Sequence, residues 1–521
     1  MYLPVKCEPL KLIIMKNLTV LTIVSILSFW NQCITWSQTV VTDTLKPCME
    51  CKELLNLDLP DIRITEAELT ATKIKYCRVR GIIGSEIKFE LRLPESWNLR
   101  FIMGGGGGFV GSIQNQAAWR INQGYATVGT DTGHEGVNND GSWALNNIER
   151  QVNFGFLAVH RTTEVSKAII THYYGSKPLY SYFSGCSRGG GQALMEAQRY
   201  PNDFNGIICS GPAIDWAGIA LESIDNYKAQ FPVGTKDVDG VLTFEKTNLL
   251  GKIIMTQFDG LDGLKDNIIN DPREFTLNYS TLPVCNDGMP SDDCFTKDQI
   301  KVIRTLYEGV SINGSLIYPG FPLGSETGWY LPHLAVDTAT IKLGQKTWFG
   351  AFGSHIFKYF IFNDPEWDLY DYDYSNFSKD TKYAASFLNS TSTDYREFKK
   401  NGGKMIINQG WADLSISAFK TIQYYNDIIS TDKEANEYIR LFLLPGGGHC
   451  GMGDVGPTNT DWLEYLREWV ENGNPPEKVI VTKSENNKIV MTRPIFPYPS
   501  KAVYNGEGDP NDANSFKEFK K

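Results

Sequence analysis

The sequence has little positive charge and no long apolar segment beyond its first residues. Its 521 residues contain 50 Lys and Arg against 60 Asp and Glu, so the net charge is −10 at pH 7. An acidic chain without a basic stripe lacks the surface that nucleic acids need, and we predict no nucleic-acid partner. No repeat period is visible, which argues against repeat architectures. A chain of this length buries a large core, as a globular enzyme does.

The ten cysteines include no convincing zinc motif, because the C-x-x-C pair at Cys48 and Cys51 is not followed by a second pair. An uncharged apolar run, Leu18 to Trp30, is too short for a comfortable membrane span. We therefore predict a signal peptide over residues 1–37, with a membrane anchor as the alternative. The mature protein is expected to be secreted or periplasmic, where most of its cysteines pair. No stable membrane span is expected after processing.

Strands alternate with helices in two separate parts of the chain. Such alternation predicts a mostly parallel sheet covered on both faces, and so an α/β class. The pattern is lost between about residues 214 and 395, which are rich in Asp, Asn, Tyr and Trp. We predict that residues 38–213 and 396–521 form one α/β domain and that residues 214–395 form a large inserted cap domain. After Pro475 the tail is proline-rich, and we expect it to wrap the surface.

A candidate nucleophile lies at Ser187, in the Gly-Cys-Ser-Arg-Gly sequence of residues 185–189. This is a G-x-S-x-G motif between a predicted strand, Leu179–Phe183, and a predicted helix. It predicts an α/β-hydrolase fold in which residues 38–213 and 396–521 form the catalytic domain. Glycines permit a tight turn that exposes the serine, and the helix N-terminus favours an oxyanion beside it. The alternative is a simple glycine-rich turn.

The partners of the serine follow from chain order, which in this motif's fold is serine, acid, histidine. His449 follows the predicted strand Ile439–Leu444, whereas His134 precedes the serine and is in the wrong order. Asp413 follows another predicted strand and would orient the imidazole. The alternative for Asp413 is a loop aspartate that caps the next helix.

Two cysteines flank these residues, because Cys186 precedes Ser187 and Cys450 follows His449. A disulfide would bring their Cα atoms to about 5.5–6 Å and hold the serine beside the histidine. Two buried free cysteines are the alternative, and export argues against it.

Three motifs together resemble the tannase and feruloyl esterase family: Gly-Cys-Ser-x-Gly-Gly at 185–190, Gly-x-x-Asp at 410–413 and Pro-Gly-x-x-His-Cys at 445–450. The family includes enzymes similar to mono(hydroxyethyl) terephthalate hydrolase. The resemblance extends from about residue 48 to the end of the chain. It implies a serine carboxylic-ester hydrolase that acts through an acyl-enzyme on aromatic esters of the feruloyl or hydroxycinnamoyl type, small or linked to polysaccharide.

Other functions remain open at this point. Galloyl esters and terephthalate half-esters are the alternative substrates within the family. A peptidase or lipase matches the paired Cys-Ser and His-Cys motifs less well. An inactive exported binding protein is the hypothesis from a different functional class.

The resemblance also implies an oxyanion hole formed by the backbone amides of Gly108 and Arg188. Glycine lets the backbone approach an ester oxygen, which agrees with a role for the run Gly104–Gly108. A flexible loop is the alternative for this run. Arg188 stands where Thr or Glu is common in the family, and we expect its side chain to alter the mouth of the site.

The loop Asp259–Asp266 has three carboxylates and two turning glycines, a composition that suits a hard cation such as calcium. A solvated acidic loop is the alternative. The resemblance implies a structural calcium with carboxylate and carbonyl ligands from Asp259, Asp262, Leu264, Asp266 and Ile268.

The resemblance further implies disulfides Cys51–Cys77 and Cys285–Cys294, which leaves Cys48 and Cys209 over. Phe258 and Phe275 replace a cysteine pair of many relatives. Cys209 lies in an apolar strand, and we predict a buried thiol.

An aromatic segment of the predicted cap either lines an acyl pocket or forms the core of the cap, and it consists of Trp348, Phe349, Phe352, Phe357, Phe360 and Phe362. The segment has no clear arginine for a substrate carboxylate, which argues against a terephthalate half-ester.

Overall fold

A computed structural model describes residues 44–71, 73–234, 240–286 and 291–520 of the chain. The predicted signal peptide lies outside these residues. The strands described are β1 (Ile62–Ala71), β2 (Lys75–Ile83), β3 (Ile87–Pro94), β4 (Arg100–Gly104), β5 (Ala126–Thr130), β6 (Tyr180–Cys186), β7 (Gly206–Ser210), β8 (Val310–Ile312), β9 (Ser315–Tyr318), β10 (Lys404–Gly410), β11 (Ile439–Leu444), β12 (Val479–Glu485), β13 (Lys488–Ile495), β14 (Lys501–Tyr504) and β15 (Phe516–Phe519).

The α-helices of the same residues are α1 (Ile148–Val152), α2 (Ala158–Tyr174), α3 (Arg188–Arg199), α4 (Trp216–Gln230), α5 (Phe244–Phe258), α6 (Lys297–Glu308), α7 (Thr338–Ile341), α8 (Trp348–His355), α9 (Phe377–Asp380), α10 (Lys382–Leu388), α11 (Arg396–Lys400), α12 (Ala418–Thr431) and α13 (Trp462–Asn472). No helix in this part of the chain is long and apolar enough to cross a membrane.

One central sheet has the strand order β1-β2-β3-β5-β4-β6-β7-β10-β11. The pairs from β1 to β5 are antiparallel, and the strands from β5 to β11 are parallel. Side chains of successive residues enter two different cores. Phe183 and Ile207 join a core with α2, α3 and α12, whereas Tyr182 and Ile208 pack with α13 on the other face. The covered, mostly parallel sheet confirms the predicted α/β-hydrolase fold.

The chain between β7 and β10 contributes no strand to this sheet. It holds α4 to α11 and the β8–β9 hairpin, and much of its apolar side-chain area lies in clusters separate from the two cores of the sheet. Its ends lie together, since the amide of Ser390 donates to the carbonyl of Ile214 over 2.8 Å. The predicted domain boundaries at residues 213 and 396 stay a prediction, although the segment agrees with them.

The C-terminal tail contains regular secondary structure that the sequence analysis did not predict. Its residues form two hairpins, β12–β13 and β14–β15. Asn486 and Asn487 turn the first hairpin with φ values of 49° and 62°. Asparagine tolerates this left-handed conformation, so an Asn-Asn pair between two apolar runs was the signal for the hairpin.

The structure contains the disulfides Cys51–Cys77, Cys186–Cys450 and Cys285–Cys294. Cys209 is the buried thiol that the sequence predicts, and burial raises the pKa of its Sγ. Phe258 and Phe275 pack with ring centroids 5.7 Å apart. An aromatic contact thus joins these two positions of the inserted segment.

Candidate active site

Ser187 lies on a sharp turn between β6 and α3. Its φ is 63°, a conformation that a side-chain-bearing residue adopts at a cost. The two flanking glycines are required by contact, because a Cβ on Gly185 would come within 2.4 Å of the Gly189 carbonyl oxygen. The turn therefore presents the serine at the carboxyl end of β6 and at the N-terminus of α3.

His449 and Asp413 form a buried pair, with His449 Nδ1 2.9 Å from Asp413 Oδ2. The amides of Ser415 and Ile416 each donate to Asp413 Oδ1 over 2.8 Å. These bonds hold the direction of the carboxylate. Both side chains follow strands of the sheet, as the sequence predicts.

Gln409 is a member of this network that sequence reasoning missed. Its Nε2 donates to Asp413 Oδ2 over 2.9 Å, and its Oε1 accepts a bond from Thr421 Oγ1 over 2.9 Å. The second bond determines which end of the amide faces the aspartate. Gln409 lies within β10, four residues before Asp413, and nothing in its local sequence distinguishes it from other polar strand residues.

The Cys186–Cys450 disulfide joins the residue before Ser187 to the residue after His449, with the Cα atoms 6.0 Å apart. Gln116 holds the same turn, because its Oε1 accepts a 2.7 Å bond from the Cys186 amide. The serine turn and the histidine loop are therefore covalently linked across 264 residues of sequence.

The glycine run approaches the serine turn closely. Gly108 has a φ of 56°, and a Cβ there would lie 2.2 Å from the carbonyl oxygen of Asn138. The amide of Gly106 donates to the Gln192 side chain on α3 over 3.1 Å. The run is a braced loop, not the flexible loop that was its alternative.

His134 supports this loop from behind. Its Nε2 donates to the carbonyl of Phe109 over 2.8 Å, and its ring stacks on Trp143 at 3.6 Å. Burial lowers the pKa of His134 to about 4, so the imidazole is neutral at physiological pH. Sequence reasoning set His134 aside as a base because it precedes the serine, and it missed this supporting contact.

The expectation that the Arg188 side chain alters the mouth of the site is wrong. The side chain is only 1% exposed, and its guanidinium lies 4.4 Å from the ring of Phe154 and 5.3 Å from that of Trp216. Its Nη2 donates to the carbonyls of Phe154 and Gly155. The first residue of α3 projects inward at this turn, and burial lowers the pKa of Arg188 to about 9. The guanidinium thus ties α3 to the segment before α2.

One cavity brings together Gly108, Ser187, Arg188 and His449. Its other walls are mainly apolar and come from Ala213, Trp216, Ile219, Trp348, Phe349, Phe352, Ser415 and Ile416. Some residues of the aromatic segment line the cavity, and others belong to the core of the inserted segment. Trp348, Phe349 and Phe352 line the cavity, whereas Phe357 and Phe362 pack on Trp367 within the inserted segment. Phe360 packs against Trp143 instead.

The acidic loop has an oxygen-rich set of groups with an excess of negative charge. Asp259 and Asp262 accept backbone amides, and Asp266 pairs with Arg493 over 2.7 Å. Of these three carboxylates, only that of Asp266 is paired with a guanidinium. Their oxygens do not all approach within 4.8 Å of one another, so the carboxylates are not gathered tightly around one point. The available donors are oxygens, which is the ligand type that calcium prefers.

Geometry of this kind suits nucleophilic acyl transfer. A serine on a strained turn, a histidine bonded to a buried carboxylate, and backbone amides at a helix N-terminus are the groups that such a reaction needs.

Comparison with known proteins agrees with this chemistry. The sequence profile of the family described as Tannase and feruloyl esterase matches residues 71–519. A mono(2-hydroxyethyl) terephthalate hydrolase from Piscinibacter sakaiensis is 29% identical over 515 residues, which cover 85% of this chain and 84% of that protein. A probable feruloyl esterase B-2 from Aspergillus terreus is 30% identical over 467 residues, which cover 84% and 85%.

Solved structures have the same fold. Feruloyl esterase B from Aspergillus oryzae superposes with a TM-score of 0.80 at 25% identity, covering 90% of this chain and 99% of that one. A tannin acyl hydrolase from Aspergillus niger superposes with a TM-score of 0.72 at 21% identity, covering 89% and 92%. This second likeness concerns the fold alone.

Removal of the Cys186–Cys450 disulfide should reduce both stability and the reactivity of Ser187. For the double variant Cys186→Ala/Cys450→Ala we expect the free energy of unfolding to fall by about 5 kcal/mol, since the closed loop is long. Fluorophosphonate labelling of Ser187 should slow, because the serine turn and the histidine loop lose their link. Denaturant unfolding and labelling kinetics measure the two effects.

The matched control is Cys51→Ala/Cys77→Ala, which opens a loop of 26 residues. It should cost about 3.5 kcal/mol and leave the labelling rate unchanged. Equal labelling rates in both double variants would show that the disulfide does not position the site.

Proposed function

Because this chain belongs to the tannase and feruloyl esterase family and is a carboxylic ester hydrolase, we propose that Ser187, His449 and Asp413 cleave esters of aromatic acids. The observation that carries the proposal is the shared cavity, in which Ser187, His449 and Gly108 face aromatic walls. Planar acyl groups bind well between such walls.

The proposed first step is attack by Ser187 Oγ on the ester carbonyl carbon. His449 Nδ1 donates a hydrogen bond to Asp413 Oδ2 over 2.9 Å. The other ring nitrogen, Nε2, is therefore free to accept the serine proton. A bond forms between Oγ and carbon, and the carbonyl electron pair moves onto oxygen. Collapse of this intermediate breaks the bond to the alcohol, which leaves with the proton from His449. Water, deprotonated by His449, then releases the acid and restores Ser187.

The proposed oxyanion hole consists of the amides of Gly108 and Arg188. Both residues line the cavity beside Ser187. The Arg188 amide is the first of α3, where helix amides have no partner within the helix and the dipole favours negative charge. The Gly108 amide is held by the close approach to Asn138 described above, so little reorganisation accompanies charge development.

The proposed acyl group is neutral and of the hydroxycinnamoyl type. Of the residues that line the cavity, only Arg188 and His449 have basic side chains. The Arg188 guanidinium is bonded to the carbonyls of Phe154 and Gly155. A terephthalate half-ester would therefore bring a carboxylate into an apolar pocket without a free cation, at a desolvation cost. Small esters and polysaccharide-linked esters both satisfy this chemistry.

The inserted segment, residues 214–395, acts in this proposal as a cap that supplies the acyl pocket. We also propose that calcium binds the acidic loop through Asp259, Asp262 and Asp266, with the carbonyls of Leu264 and Ile268 as further ligands. The ion would brace the cap and take no part in the chemistry. Export from the cell completes the proposal, and the three disulfides support it, because they persist in oxidising compartments.

Turnover of a panel of esters tests the substrate class. We expect free acid to be released from methyl ferulate faster than from methyl gallate or a terephthalate half-ester, because the pocket is apolar and uncharged. Ser187→Ala should reduce turnover by about 10⁴- to 10⁶-fold. Release of acid is measured by liquid chromatography, and folding of the variant by circular dichroism. A folded wild-type protein that hydrolyses none of the esters would favour an exported binding protein.

The oxyanion hole is tested at two adjacent glycines. Gly108→Ala should reduce kcat by about 10²- to 10³-fold, because the new Cβ displaces the loop from Asn138. Gly107→Ala is the matched control, since its Cβ would meet no atom closer than 3.8 Å. Kinetics with methyl ferulate compare the two variants. Equal losses in both would argue against a specific role for the Gly108 amide.

Calcium is tested through stability. Treatment with EGTA should lower the melting temperature, and calcium at one hundred times its Kd should restore about 2.7 kcal/mol. Asp262→Asn should abolish the response, whereas Asp58→Asn, at an exposed position elsewhere, should retain it. Differential scanning calorimetry measures each transition. A wild-type melting temperature unaffected by EGTA would contradict the proposal.

A further inference from the structure

A second cluster of ionisable side chains lies between α2 and α3, outside the cavity described above. It contains His160 from α2, Glu196 from α3 and Asp203 from the loop after α3. One ligand atom from each lies within 4.8 Å of the other two. Among the described residues, no other group of three acidic, imidazole or thiol side chains meets this condition.

Glu196 is the unusual member of the cluster. Its side chain is 1% exposed, and apart from the adjacent Asp203 carboxyl no group of the described residues forms a hydrogen bond with its oxygens. A buried carboxylate without a donor is costly in its ionised form. Burial and the neighbouring Asp203 carboxylate raise the pKa of Glu196 well above its usual range. Such a group needs either a proton or a cation.

The charges around Glu196 leave room for a cation. Three carboxylates, those of Glu164, Glu196 and Asp203, face the cluster, and Lys167 is the neighbouring base. The Lys167 ammonium donates to the backbone carbonyl of Asp203, not to a carboxylate. If all three carboxylates were ionised and the imidazole were neutral, the set including Lys167 would carry a net charge of −2, which a divalent ion would balance.

We propose that His160, Glu196 and Asp203 bind a divalent transition-metal ion of the zinc type. One imidazole nitrogen and two carboxylate oxygens form a donor set that zinc and cobalt accept, whereas calcium and magnesium prefer oxygen alone. His160 Nδ1 lies 2.7 Å from Asp203 Oδ2, so the imidazole and this carboxylate are already adjacent and would need only a small separation to accommodate an ion between them.

Two contacts hold the imidazole in position for this role. His160 Nε2 lies 3.3 Å from Glu164 Oε2, and a carboxylate on the second nitrogen is the common way in which a metal-bound histidine is oriented. The ring also stacks on Tyr200 at 3.6 Å, with the planes 3° apart. The site is open enough for an ion to enter, since the side chains of His160 and Asp203 are 19% and 11% exposed.

The ion would have a structural effect on the candidate active site. It would join α2 to the C-terminal end of α3, the helix whose N-terminus follows Ser187. Arg188 links α3 to the segment before α2 at the other end. The helix behind the nucleophile would then be attached to the same neighbour at both ends.

The test uses untagged protein that has been stripped of metal and returned to calcium-containing buffer, so that the acidic loop is saturated. Isothermal titration calorimetry should show that one equivalent of Zn²⁺ binds. Thermal unfolding should show a higher melting temperature in the presence of Zn²⁺. Substitution of Co²⁺ should give visible d–d absorption typical of mixed nitrogen and oxygen ligands.

Variants separate this site from adventitious binding. His160→Ala and Glu196→Gln should each weaken Zn²⁺ binding by more than about 100-fold. Glu164→Gln removes the carboxylate that orients the imidazole and should weaken binding by about 10- to 100-fold. His172→Ala removes an exposed histidine of the same helix and should leave binding unchanged. Glutamine has the shape of a protonated glutamate, so Glu196→Gln should fold.

The proposal is overturned if the wild-type protein takes up no Zn²⁺ or Co²⁺, or if His160→Ala and Glu196→Gln bind as wild type does. In the first case Glu196 and Asp203 are a carboxyl pair that shares a proton. In the second case the bound ion lies elsewhere on the surface.

Discussion

Parallel pairing of the four neighbouring strands β6, β7, β10 and β11 is the constraint on which the rest of this structure depends. The carboxyl ends of parallel strands meet at one edge of a sheet. Ser187, Asp413 and His449 each follow one of these strands, so backbone hydrogen bonds alone bring them to that edge from distant parts of the chain. The long insert is tolerated because it enters after β7 and returns before β10, leaving the pairing intact.

Close packing converts this proximity into a defined site. Glycines at 108, 185 and 189 allow backbones to approach where a Cβ would collide. The Cys186–Cys450 bond, the Gln409–Asp413 contact and the His134–Phe109 contact each restrain a different loop. Pre-organised dipoles and donors are most effective when they need not move as charge develops. The strained φ of Ser187 persists because the surrounding contacts hold it.

Buried charge is the second feature that recurs in this molecule. Arg188 is enclosed by two aromatic rings and backbone carbonyls, and Glu196 is enclosed without a donor. Both lie on α3, one at each end. Burial of a charged group away from water costs free energy unless neighbouring groups compensate it, so its neighbours must be accounted for. At Arg188 the carbonyls account for the cation, whereas Glu196 has a second carboxyl group, that of Asp203, as its neighbour.

The sequence by itself determined the fold class and the residues of the candidate triad, whereas the order of the strands in the sheet came from the tertiary structure. Alternation of strand and helix, the strand–turn–helix context of Ser187 and the positions of Asp413 and His449 are local patterns with local physical causes. Adjacent Cys-Ser and His-Cys pairs also determined one disulfide. Only the tertiary structure decided the direction of the Arg188 side chain, the support from Gln409 and His134, the division of the aromatic segment between pocket and core, and the grouping of His160, Glu196 and Asp203. Each of these depends on contacts between residues far apart in sequence, and such contacts follow from the packing of the whole chain, which no local pattern encodes.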